Sequence, residues 1–216
     1  MTSDLDIERW PRRHLFDFFK DYENPFFNVC ANIDITALLS LGRSTETLSL
    51  SLAYLFFSLK AANEVEPFRY RLRGDQVVIH DRIHGGSTLL LDDQTFKFYY
   101  FDFDEDFARF QMGAKASRER ARVPSGSLED QPARDDLIHY SVLPWISFTS
   151  FSHARKGDRQ DSIPKIVFGK YFSEGGAVKM PLSVEVHHAL MDGVHVGEYF
   201  ETVQTYFSDP QSGLGM

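Results

Sequence analysis

Val184-Glu185-Val186-His187-His188-Ala189-Leu190-Met191-Asp192-Gly193-Val194-His195-Val196-Gly197 decides how the rest of this chain reads. An alternating apolar run ends in two adjacent histidines, Asp-Gly follows, and helical periodicity begins. Side chains alternate across a strand, so Leu182, Val184, Val186 and His188 share one face, and Ser183, Glu185, His187 and Ala189 the other. The alternation predicts His188 on the dry, apolar side and His187 on the polar side. An imidazole titrates near neutrality, which suits His188 to the part of a general base. A rival reading makes His188, Asp192 and His195 metal ligands at i, i+4 and i+7. That spacing needs a helix through Asp192-Gly193, which the glycine and the preceding β-branched alternation oppose. The reading kept here has no metal.

The chain is 216 residues long, enough for a sizeable core, and its 43% hydrophobic and 25% charged composition is that of a globular protein. Twenty phenylalanines and nine tyrosines predict an aromatic core or an aromatic-lined pocket. A net charge of −8 argues against a nucleic-acid partner, which calls for clustered Lys and Arg. The single cysteine, Cys30, excludes an intramolecular disulfide or a multi-cysteine metal site. A charged N-terminal stretch without an apolar signal region, and no run of membrane-spanning length, predict a cytoplasmic protein.

Outward from the histidine pair, Val196, Tyr199, Phe200, Val203 and Phe207 mark a closing amphipathic helix. Before the pair, strands are expected over Val178–Ala189 and Ile166–Phe172, parted by Gly175-Gly176, and over Leu137–Phe151, broken at Pro144. His153–Ser162 and Val123–Arg134 read as polar loops, and Asp104–Arg122 as a helix. Phe96–Phe101 and Ser87–Leu91 read as strands, Phe68–His80 as a hairpin around Gly74-Asp75, and Thr47–Asn63 as a buried helix. Phe26–Ile35 reads as a strand after the Asn24-Pro25 break. The first helix opens at Pro11, with Leu15, Phe16, Phe18 and Phe19 expected to be buried together. Strands and helices without strict βαβ alternation predict an α+β fold with a mixed or antiparallel sheet, in one domain over residues 1–216.

The composite His187-His188-Ala189-Leu190-Met191-Asp192-Gly193 resembles the active-site signature of the coenzyme-A-dependent acyltransferases. Met180–Gly197 as a whole resembles the trimeric, type A chloramphenicol acetyltransferases. Ser141-Val142-Leu143-Pro144-Trp145-Ile146-Ser147-Phe148-Thr149-Ser150-Phe151, Gly169-Lys170-Tyr171, Ile33-Asp34-Ile35-Thr36 and Trp10-x-Arg12-x-x-x-Phe16 match further blocks in order. The resemblance covers residues 6 to 207. It implies a two-layer α/β sandwich with a mixed sheet, and acetyl transfer from acetyl-CoA to a hydroxyl of chloramphenicol, with acetyl-CoA a co-substrate and no permanent cofactor. It makes His188 the base, Ser141 the oxyanion donor, and Asp192 with Arg12 an ion pair holding the histidine turn. It puts Phe18, Phe27 and Phe96 near the acceptor, Lys170 and Tyr171 near coenzyme A, and the active sites between the chains of a homotrimer.

The chain departs from the family pattern at several places. Phe19 stands where some members carry tyrosine, Ser152-His153-Ala154 replaces Asp/Asn-Leu-Asn, Val167 replaces a common threonine, and Ser49-Leu50-Ser51-Leu52 replaces Lys-Phe-Tyr-Pro. None of these is expected to touch His188 or Ser141. Two alternatives stay open: the same chemistry on another alcohol or amine, and a non-catalytic trimeric binding protein of the same fold.

Overall fold

In a computed structural model, which describes residues 1–122, 134–155 and 161–216, helices cover one face of a mixed sheet. The strands are β1 (Thr2–Asp4), β2 (Phe26–Asp34), β3 (Tyr70–Arg73), β4 (Gln76–His80), β5 (His84–Leu90), β6 (Phe96–Phe101), β7 (Leu137–Leu143), β8 (Lys165–Gly169), β9 (Phe172–Glu174) and β10 (Ala177–His187). The helices are α1 (Arg13–Phe19), α2 (Thr36–Ser44), α3 (Leu50–Glu64), α4 (Phe107–Arg122), α5 (Gly193–Ser208) and α6 (Pro210–Leu214). The large sheet runs β2-β10-β8-β7-β5-β6, with β9 added on β10. Its β5–β7 and β7–β8 pairs are parallel and the others antiparallel, so the expected mixed sheet is present. No helix among the described residues is long and apolar enough to cross a membrane.

The helix-facing side of the sheet carries Leu182, Val184 and Val186 from β10, Ile166 and Phe168 from β8 and Tyr140 from β7. All of them are buried. Helix α3 is apolar on every side because α4, α5 and the sheet surround it, which is why its sequence lacks a polar stripe. On the opposite side, Gly169 lies under the chain that follows β7: a Cβ there would meet Phe148 at 2.9 Å and the Ile146 carbonyl at 3.1 Å.

A second, small sheet, β1-β4-β3, packs with α1 and the turn after β10 around Phe16, Leu72, Val77, Ala189 and Leu190. Arg71 joins it to the large sheet. Its fully buried guanidinium donates to the carbonyls of Phe68, Tyr70, Asp135 and Leu137. Both segments flanking His188 are therefore anchored in packed cores.

Several boundaries differ from the sequence reading. Residues 36–44 form α2 and residues 2–4 form β1, neither of which the periodicity marked. Strand β7 stops at Leu143 because Pro144 cannot donate to a ladder. The first helix begins at Arg13, after Pro11, and buries only Phe16; Phe18 is 60% exposed, so the expected aromatic cluster is not a core element. The loop expected at 123–134 lies outside the described residues except for Arg134, as do Lys156 and Arg159 of the later polar loop.

Candidate active site

Strand β10 ends at His187, and the backbone N–H of His188 extends the pairing with a 2.8 Å bond to the Pro25 carbonyl. Three further residues form the turn, and Asp192 precedes the first residue of α5, Gly193. The metal reading required one helix from 188 to 195; the helix begins only at Gly193. No group of three His, Cys, Asp or Glu side chains placed to hold a metal ion occurs among the described residues.

Arg12 is the buckle of this turn. Its Nε donates to Asp192 Oδ2 and its Nη2 to Asp192 Oδ1, both at 2.8 Å, the bidentate fork that guanidinium and carboxylate favour. Nη1 donates to the Ala189 carbonyl and Nη2 to the His188 carbonyl, each at 3.1 Å. The face of Trp10 lies 5.2 Å from the guanidinium carbon. Partial burial pushes the Asp192 carboxyl up, and the bonds and charge of Arg12 more than reverse this, leaving it below the ordinary value. His195, at the third position of α5, accepts the Asp192 backbone N–H on Nδ1 at 2.9 Å, so it caps the helix.

The His188 ring lies flat against Phe19, with centroids 3.9 Å apart and planes within 7°, and Phe27 approaches at 4.6 Å. Phe18 and Tyr22 pack around Phe19 in turn. His188 Nδ1 is enclosed and points back to Asp192 Oδ1 at 3.2 Å, off the line of a hydrogen bond. A third of the side chain stays accessible, so the far edge, which carries Nε2, is the one open to a reactant.

Alternation assigned the faces of the two histidines correctly but not their burial. His188 does point to the side of Val186 and Phe27, yet His187 is the dry one at 1% exposure. Strand β10 is central, and its polar row, Ser183, Glu185 and His187, is buried as deeply as its apolar row. Burial, with the charge of Arg155, pushes His187 down to about 4. Its Nδ1 accepts the Ala189 N–H at 3.2 Å, which fixes the proton of the neutral ring on Nε2.

This burial has a measurable consequence. A histidine held below its unfolded value takes its proton first in the unfolded chain, so stability falls as pH drops from about 6.5 toward about 4. The full shift corresponds to at most about 3 kcal/mol. His80, His84 and His195 are also lowered, each first by burial, and share this slope. His187→Asn keeps an acceptor for Ala189 without a titrating ring. Thermal melts across this window are expected to be less steep in pH for the variant than for the parent; equal slopes would refute the assignment.

The remaining sequence-predicted residues lie elsewhere in the chain. Ser141 pairs with Val167, and Val167 with Ser183, so Ser141 shares the polar face, two strands from β10. Five residues along β10 and two strands across put Ser141 roughly 19 Å from His188. Gly169 pairs with Leu143, so Lys170 and Tyr171 follow at the Ser141 end, both exposed. Phe96 opens the edge strand β6 on the same face as Ser141 and two residues beyond its level, with Phe98, level with Ser141, edge-on beside it at 5.5 Å. The predicted site thus divides in two. One end of the sheet holds His188, Asp192, Arg12, Phe18 and Phe27; the other holds Ser141, Phe96, Lys170 and Tyr171.

Pro25 was marked only as a breaker, yet its carbonyl holds His188. The departures were expected to touch neither His188 nor Ser141, yet Phe19 is the ring on which His188 rests and Val167 is the register partner of Ser141, because α1 folds over the end of β10 and β8 lies beside β7.

Residues 2–204 match the family model described as Chloramphenicol acetyltransferase. Proteins named chloramphenicol acetyltransferase from a Klebsiella species and from Clostridium perfringens are each 29% identical to this chain. The first match covers 97% of this chain and 95% of the relative, the second 98% and 97%. A solved chloramphenicol acetyltransferase structure superposes with a TM-score of 0.87 at 26% identity, over 96% of this chain and 100% of that one. A dihydrolipoamide acetyltransferase of Azotobacter vinelandii shares the fold, with a TM-score of 0.69 at 16% identity, over 88% of this chain and 84% of its own.

Proposed function

The chain belongs to the chloramphenicol acetyltransferase family, and we propose that it moves the acetyl group of acetyl-CoA onto a hydroxyl of chloramphenicol with His188 as the base. The observation that carries this is the His188 cradle. An imidazole pressed on Phe19, with its backbone clasped by Arg12 and Pro25, is fixed in one pose with its Nε2 edge open.

In the proposed reaction His188 Nε2 takes the hydroxyl proton as that oxygen attacks the thioester carbonyl carbon. The tetrahedral intermediate carries its charge on the former carbonyl oxygen, and the Ser141 hydroxyl donates to it. Collapse breaks the carbon–sulfur bond, and the coenzyme A thiolate takes the proton back from the imidazolium. Acetyl ester and free thiol leave, and His188 is again neutral. Asp192 is committed to Arg12 by two short bonds, which favours an anchoring role for it over proton transfer.

Residues 1–216 act here as one acetyltransferase domain, in a cytoplasmic homotrimer. The separation of Ser141 from His188 supports that assembly, since neither end of the sheet holds both the base and the donor. The exposed rings of Phe96, Phe98, Trp145 and Tyr171 at the Ser141 end give a second chain an apolar surface to cover. Phe18 and Phe27 on the His188 side and Phe96 on the Ser141 side would enclose the acceptor, and Lys170 and Tyr171 would meet coenzyme A.

The test is release of free thiol from acetyl-CoA by the purified protein, with and without chloramphenicol. Release that depends on chloramphenicol is expected. Release only with another alcohol or amine would replace the acceptor and keep the chemistry. No release with any acceptor would overturn the reading in favour of a binding protein.

A further inference from the structure

Behind the histidine pair, on the sheet face away from the helices, lies a buried ionic cluster that the reaction above does not use. Its centre is Arg155, whose side chain is 13% exposed, against Glu185 at 7%. Arg155 Nε donates to Glu185 Oε1 at 2.8 Å, and Nη2 lies 2.7 Å from the same oxygen. Nη1 donates to Asp161 Oδ2 at 2.7 Å. The other Glu185 oxygen accepts the His153 backbone N–H at 3.4 Å, with His153 Nδ1 3.6 Å away. Burial alone would raise the Glu185 carboxyl, but His153 and Arg155 bring it down to about 2, so it stays ionised and fully paired.

The guanidinium also reaches the other strand of the site. Its central carbon lies 3.2 Å from the ring centre of Phe26, and Phe26 meets His187 edge-on at 5.0 Å. Phe26 and His187 are the last register pair of β2 and β10. One residue further on each strand are Pro25 and His188, joined by the bond from the His188 N–H. Arg155 therefore grips β10 through Glu185 and β2 through Phe26, next to the point where the two strands deliver His188.

We propose that the Arg155–Glu185 pair is a positioning device for His188, holding the ends of β2 and β10 in the register that seats the imidazole between Phe19 and Phe27. Burying two charges where apolar residues would pack as well or better is hard to account for by stability alone. A planar guanidinium that meets Glu185, Asp161 and the Phe26 ring at once restricts geometry in a way that an apolar contact does not. The charged cluster adjoins Ser152-His153-Ala154, a stretch where this chain departs from the family pattern, and takes in His153. The inference rests on His188 being the base, so its test carries one readout that does not depend on turnover.

Arg155→Met strands the Glu185 charge, and the double variant Arg155→Met/Glu185→Met removes both charges of the pair; Asp161, 27% exposed, keeps Lys165 at 3.8 Å as a partner. Both are expected to lower kcat by about tenfold to a hundredfold with KM for either substrate unchanged, since a small misplacement of a reacting group costs that much. The double variant is expected to regain the melting temperature but not kcat. Nitrogen-15 spectra of histidine-labelled protein are expected to show displaced His188 ring signals in both variants. Recovery of kcat in the double variant would assign the loss to the stranded charge and overturn the proposal, as would a raised KM with kcat retained. If the parent shows no turnover, the proposed function fails on its own, and unchanged His188 signals would then overturn the positioning role independently.

Discussion

His188→Ala is expected to lower kcat by about 10²–10⁴-fold, the range that a positioned general base supplies, with a melting transition close to the parent's. The physical basis is the difference between what the side chain does for the fold and what it offers a reactant. For the fold it supplies a ring on Phe19 and Phe27 and no side-chain hydrogen bond. The bonds that hold the turn go to its backbone, from Arg12 to its carbonyl and from its N–H to Pro25, and alanine keeps both. A folded variant with near-normal kcat would end the assignment.

Mixed assemblies extend the test to the two-ended layout. His188→Ala and Ser141→Ala lie at opposite ends of one sheet. Chains of the two variants, unfolded and refolded together, are expected to recover activity that neither shows alone. An intact His188 on one chain can then face an intact Ser141 on another. No recovery from properly assembled mixtures would place both groups in one chain's site or remove one of them from the chemistry.

Arg12→Ala and Asp192→Ala are expected to lose stability and activity together. Removing Arg12 leaves the Asp192 carboxylate without its fork and the carbonyls of His188 and Ala189 without their donors. Breaking one half of a buried pair costs roughly 3–5 kcal/mol, and with side chains 12% and 27% exposed the loss belongs at the lower end of that range. Arg12→Lys is expected to behave more like alanine than like arginine, because an ammonium cannot serve both carboxylate oxygens and two carbonyls in one plane. Asp192 is held below its ordinary value, so the pair's contribution is complete above the unfolded carboxylate range and is lost as pH falls through the folded value. At neutral pH the full effect should appear. Thermal melts set beside kcat decide the matter: normal melting with lost activity would make Asp192 part of the chemistry and not an anchor.

Much of this molecule was legible in its sequence, for identifiable reasons. The α5 helix announced itself by apolar spacing and β10 by alternation, because a surface helix and a strand with one apolar row both leave a period. Helix α2 did not: the strand was read only to Ile35 and no element was assigned to the residues after it, although Leu38, Leu39 and Leu41 are all buried in the core. Arg12 and Asp192 were paired by resemblance, and their fork is in place across nearly the whole chain. Arg155 and Glu185 had no such marker, since a polar stretch with basic residues reads as a loop whether or not it folds back against a sheet.

By itself, the sequence determined most element types (α2 and β1 excepted), the mixed fold class, the family signature and the face of β10 to which each histidine points. Those properties follow from local backbone geometry and residue spacing. Only the tertiary structure decided which histidine is dry, where Arg155 ends up, and that Ser141 and His188 stand at opposite ends of the same sheet. Alternation assigns a side chain to a face, but whether that face meets water depends on which distant segment covers it. Here that segment carries Arg155, which leaves His187 enclosed and His188 at the open edge.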